Sequence, residues 1–128
     1  MDIDTLLHVP ITGRYLMEKL NFQSNYITYD ELSNVKDIQN ILKPYNKCVI
    51  LIRTKSLNYG HFVCLYQDQN NIYFFDSYGY QIDQQLKYRD PNLRNKLRGD
   101  FDFKYLTNLL LNSPKIIHYN QYRLQNPN

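Results

Sequence analysis

Between Cys48 and Asp76 the chain carries three apolar runs in close succession, Cys48 to Arg53, His61 to Tyr66 and Asn71 to Asp76. Each is rich in Val, Ile, Leu, Tyr or Phe and is set off by polar turn residues, so the three read as consecutive strands of an antiparallel meander. Along the second run, alternation places Phe62, Cys64 and Tyr66 on one face and Val63 and Leu65 on the other. Both faces are apolar, and a strand apolar on both faces must be covered on both.

The covering elements are read from the flanks. From Ser33, the residues Val35, Ile38, Ile41 and Leu42 recur at helical spacing and Pro44 closes the segment, which predicts an amphipathic helix of about ten residues. Asp83 is placed to cap a short helical turn through Tyr88 that Asp90-Pro91 breaks. Asp100 is placed to cap a second helix whose stripe is Phe101, Tyr105, Leu106, Leu109 and Leu110 and which ends at Ser113-Pro114. Ile116, Ile117 and Tyr119 suggest one more strand. The first thirty residues give no clear pattern, because Pro10 and Gly13 interrupt their apolar positions. With 128 residues there is room for a single core, and helices interleaved with an antiparallel sheet make it α+β.

Composition excludes more than it assigns. No apolar run approaches the roughly 20 residues of a bilayer span, and the start has no signal-peptide pattern, so a membrane partner is not expected and an intracellular location is. A net charge of +3 leaves nucleic acid as a weak candidate partner, since the basic residues are scattered rather than clustered. The three histidines, His8, His61 and His118, have no close spacing with Cys or carboxylates of the kind a zinc site needs, so no metal is expected. Cys48 and Cys64 both lie inside apolar runs and read as buried, inert thiols.

Chemistry enters through strand register. If the second and third strands close about Gln67 to Asn70, Tyr66 faces Asn71 and His61 faces Asp76. Directly opposed residues have Cβ atoms about 4.5 to 5.5 Å apart, close enough for imidazole and carboxylate to bond. A carboxylate on one ring nitrogen fixes the tautomer and raises the basicity of the other, which makes a general base. The same pair can also be purely structural, a histidine satisfied at a strand end.

The segment Gly60-His61-Phe62-Val63-Cys64-Leu65-Tyr66, followed by Ile72-Tyr73-Phe74-Phe75-Asp76-Ser77-Tyr78-Gly79, resembles the His and Asp strands of papain-like cysteine proteases of the adenovirus type and their cellular relatives that process ubiquitin-like proteins. The resemblance covers roughly residues 28 to 128. It implies a papain-like cysteine protease core with a central, mostly antiparallel sheet flanked by helices on both faces, no cofactor, and a cysteine endopeptidase activity with His61 as base and Asp76 as its orienting partner. The family places a Gln six or seven residues before its nucleophilic Cys, where it helps form the oxyanion hole; Gln125 is the best match and Gln121 the second. Asn58, Tyr59 and Phe62, the last standing where relatives often carry Trp, would line the substrate groove.

No cysteine in the 128 residues matches the nucleophile. Cys64 lies three residues from His61 on one strand and so projects to the opposite face, and Cys48 lies at the far end of the neighbouring strand. The expectation is therefore one protease-like domain over residues 1–128 whose nucleophile helix lies outside it, the sheet being completed by a missing C-terminal segment or a partner chain. Its substrate would be a polypeptide, either a virion precursor or a ubiquitin-like protein. Size and richness in Asn, Tyr and Lys lean towards a viral maturation protease, in the host cytoplasm, a virus factory or the virion. The competing expectation is a non-catalytic protease-like binding or virion structural module.

Overall fold

The computed structural model describes residues 23–57 and 59–119. Five strands form one mixed sheet in the sequential order β1 (Asn25–Thr28), β2 (Lys47–Ser56), β3 (Tyr59–Gln67), β4 (Asn71–Phe75) and β5 (Ile116–Tyr119). The expected meander is present, since β2 pairs with β3 and β3 with β4 in antiparallel fashion. Both outer strands, however, run parallel to their neighbours, β1 to β2 and β5 to β4. The sheet is thus mixed rather than mostly antiparallel. The reason is connection length: residues 29–46 and 76–115 are long enough to cross back over the sheet, which parallel pairing requires.

The crossovers are helical in short pieces. The helix expected from Ser33 is split into a 3-10 turn at Tyr29–Asn34 and a single α-helical turn, α1 (Gln39–Leu42), with Val35 extended between them. Local side-chain bonds explain the break: the Asp37 carboxylate accepts from the Gln39 N–H at 2.7 Å and Asn40 Oδ1 accepts from the Asp37 N–H at 3.1 Å. Such bonds offer the backbone an alternative to a continuous helix. The apolar residues that suggested the helix, Ile38, Ile41 and Leu42, are nonetheless buried.

The second helix, α2, spans Tyr105–Leu111 and begins well after Asp100. Its first N–H groups are satisfied from a distance, Leu106 donating to the Tyr29 hydroxyl at 3.3 Å and Thr107 to Asp83 Oδ2 at 2.8 Å. The Tyr29 hydroxyl in turn donates to Asp83 Oδ1 at 2.7 Å. Asp83, expected to cap its own 3-10 turn at Gln84–Tyr88, thus supports the start of α2 instead. Phe101 stays outside the helix, with the guanidinium groups of Arg89 and Arg94 at 3.9 and 4.8 Å from its ring centre. These are cation–π distances.

The main core lies on one face of the sheet, where Ile50, Ile52, Val63, Leu65, Ile72 and Phe74 meet Leu32, Leu42, Leu106 and Leu110. The opposite face holds a smaller cluster of Val49, Leu51 and Phe62, with Tyr26, Cys64 and Phe75 packed against it. The second face is buried at its centre, with Leu51 and Phe62 at 0% exposure, and is open towards Tyr66 and Tyr73, which are exposed. Among the described residues, the helices that join a core cluster all pack on the first face, so the expected two-sided helical cover is not seen there.

Candidate functional site

Gly60 sets the start of β3 against β2. It pairs with Arg53, and a Cβ at Gly60 would stand 2.4 Å from the Ile52 carbonyl oxygen. Only glycine permits that approach, next to a bulge between Arg53 and Ser56. His61 follows, paired with Ile52 and only 4% exposed.

The β3–β4 register differs from expectation. Tyr66 pairs with Tyr73 and Cys64 with Phe75, so each β3 residue meets a partner two positions later than the symmetric hairpin predicted. Asp68 is the cause, because its Oδ1 accepts from the N–H groups of Asn70 and Asn71 at 3.0 and 2.9 Å and so holds a loop that begins one residue later. A two-residue shift preserves which face each side chain occupies, whereas a one-residue slip would have reversed it. Asp76, just past the end of β4, therefore still lies on the His61 side, and His61 Nε2 is 2.9 Å from Asp76 Oδ1. The contact is diagonal rather than directly opposed.

A tight turn completes the corner. The Gly79 N–H donates to the Asp76 carbonyl at 2.8 Å, with Gly79 at φ 76°, a left-handed conformation suited to glycine. The Tyr78 N–H donates to Asp76 Oδ1, also at 2.8 Å. Asp76 is 1% exposed, and as a carboxylate it can only accept, which assigns the proton at this contact to His61 Nε2. Nδ1 is then the ring nitrogen that would exchange a proton with a reacting group. The Tyr78 ring lies parallel to the imidazole, with centres 4.4 Å apart and planes 8° apart. Tyr78 escaped the sequence reading; the Asp-Ser-Tyr-Gly turn that carries it was the available signal.

The thiols behave differently. Cys64 belongs to the second cluster, on the face away from His61, and Cys48 pairs with Leu65 at the other end of the sheet. Burial pushes both up to about 12, aided at Cys48 by Cys64 and at Cys64 by Asp76. A thiol so raised is protonated near neutrality and is a poor nucleophile.

Of the expected groove residues, Tyr59 is 49% exposed, with the Lys55 ammonium 5.1 Å from its ring centre. Phe62 is a correction: its ring lies within the second cluster, 6.2 Å from Tyr26, and offers no surface to a substrate. Alternation along β3 directs it away from the His61 face. Asn58, Gln121 and Gln125 lie outside the described residues, as does His8. Among the described residues no group of three His, Cys, Asp or Glu side chains is arranged to hold a metal. His118 is instead bonded to Asn71 Oδ1 at 2.8 Å and stacked on Tyr73. No described helix is long and apolar enough to cross a membrane.

The sequence is 35% identical over 118 residues to an uncharacterized protein, V9, of the Sputnik virophage. The match covers 91% of this chain and 66% of that viral protein, just under two thirds of its length. No protein-family model and no solved structure matches the chain.

Proposed function

We propose that the chain carries the base half of a papain-like cysteine endopeptidase. The observation that carries this reading is the buried 2.9 Å contact between His61 Nε2 and Asp76 Oδ1 on adjacent strands. In the proposed reaction His61 takes the thiol proton at Nδ1, the thiolate attacks the scissile carbonyl, and the imidazolium returns the proton to the leaving amine. Water activated by the same nitrogen then hydrolyses the thioester. Gln125 polarises the carbonyl through its side-chain amide. The nucleophile of this reading belongs to a segment outside these 128 residues, and virion precursor proteins are the proposed substrates; similarity to a virophage protein supports the viral part of the reading alone.

The decisive experiment is to express the chain with its neighbouring coding sequence and treat it with a peptide-aldehyde probe. Covalent labelling of a cysteine beyond residue 128, lost in His61→Ala, is the expected result. Absence of labelling in every longer form would sink the enzymatic reading.

One observation favours a second reading. Cys48 is buried and Cys64 partly buried, both at sites away from His61 Nδ1, and both are pushed up to about 12. A protein built from these residues alone would be a non-catalytic binding or virion structural module.

A further inference from the structure

We propose that Tyr78 is a positioning residue that fixes the plane of the His61 imidazole, an inference that rests on the reading of His61 as the base. An in-plane hydrogen bond does not by itself set the tilt of an imidazole. The Nε2 to Asp76 Oδ1 contact sets a direction within the ring plane, and tilt about that axis is limited by what meets the ring faces. Rotation swings Nδ1 through an arc and changes where it can deliver a proton. A second constraint perpendicular to the first is required.

The Tyr78 ring supplies it. Stacked at 4.4 Å and 8°, it removes rotation out of the plane because any tilt drives imidazole atoms into the phenol face. The Tyr78 backbone is tied to the same dyad, its N–H donating to the very oxygen that holds His61. The turn closed by Gly79 folds the ring back over the imidazole, and Tyr80 meets Tyr78 edge-on at 5.6 Å and buttresses it from outside. The β3–β4 ladder ends at Cys64 and Phe75, and the turn that follows it brings Tyr78 back over His61. Asp76 therefore supplies the in-plane hold and Tyr78 the out-of-plane one, from a single four-residue turn.

The test is imidazole 15N NMR on the 128-residue chain, comparing the parent with Tyr78→Phe and Tyr78→Leu. The parent and the Phe variant should show one Nε2–H tautomer at His61, with widely separated nitrogen shifts. The Leu variant has no planar face, so the ring should tilt off Asp76 Oδ1 and lose its fixed tautomer, its two shifts converging while the β3 and β4 amide signals stay in place. An unchanged tautomer in the Leu variant, or a scrambled one in the Phe variant, overturns the proposal. Should the Leu variant fail to fold, the Phe variant still decides whether the ring face or the hydroxyl matters.

In a longer, active form the Leu variant should lose about ten- to a hundredfold in kcat with KM held, the scale of a misplaced catalytic group. Phe should restore the activity. Because the NMR result requires no turnover, failure of the protease reading and failure of the positioning role are separately visible.

Discussion

The His61 corner and the two thiols lie within three consecutive strands and the turn that follows them, yet burial has opposite consequences for them. At the corner the buried ionisable groups hold each other: Asp76 Oδ1 receives both the imidazole and a backbone N–H, and the ring is stacked. Cys48 is buried and Cys64 partly buried among apolar neighbours, and loss of water, aided by Cys64 at Cys48 and by Asp76 at Cys64, raises them to about 12. Burial with partners organises a reactive group, and burial without them silences one. On the proposed reading, the molecule holds a base ready for proton transfer while keeping both thiols protonated.

The largest expected effects fall on the corner. In a form of the protein that cleaves peptide, His61→Ala or Asp76→Asn should lower kcat by about 10⁴-fold, the usual order for losing one member of such a constellation. Circular dichroism should show the fold retained, and Cys64→Ser should remain active. Loss of activity in the Cys64 variant with its fold intact would erase the contrast between the two regions.

Next comes thiol reactivity. Near pH 8, Cys48 and Cys64 should react with iodoacetamide about a thousandfold more slowly than an exposed thiol, because so little thiolate is present. Rapid modification of either under native conditions would show that it is not silenced. Gln125→Ala should reduce turnover by about a hundredfold if its amide donates to the oxyanion. A change confined to KM would move that role to Gln121 or to backbone donors.

Stability effects are smaller. Gly60→Ala should cost about 1 to 3 kcal/mol in urea unfolding, since the added methyl meets the Ile52 carbonyl at 2.4 Å. An unaltered midpoint would show that the strand ends can move apart. For pH, the folded state holds both thiols above their ordinary value of 9.0, so it favours the protonated form. That contribution is present below pH 9 and is lost as the pH rises towards 12, because the unfolded chain releases these protons first. Tyr29, pushed up by burial and by Asp83, acts in the same direction at the alkaline end. The urea midpoint should fall across this window, and less steeply in Cys48→Val.

Much of the sheet was legible because period-two alternation is local. The apolar runs located β2, β3, β4 and β5. β1 was missed because Asn25–Thr28 is only four residues long and draws its stability from parallel pairing with residues more than twenty positions away. The helix boundaries moved for a similar reason: Asp37 competes locally with the helix, while the start of α2 is satisfied by Tyr29 and Asp83 from another part of the chain. Spacing cannot report a cap that arrives through space.

By itself, then, the sequence determined which residues share a face. Alternation put His61 and Asp76 on one side and Cys64 and Phe62 on the other, and even a two-residue error in register left that parity intact. Only the tertiary structure decided the contact itself. Asp68 slid the loop, the turn at Asp76 to Gly79 bent the chain, and together they carried the carboxylate diagonally to Nε2 and laid Tyr78 over the ring. Side-chain parity is a property of the extended backbone, whereas register and ring stacking depend on bonds between residues that meet only once the chain has folded.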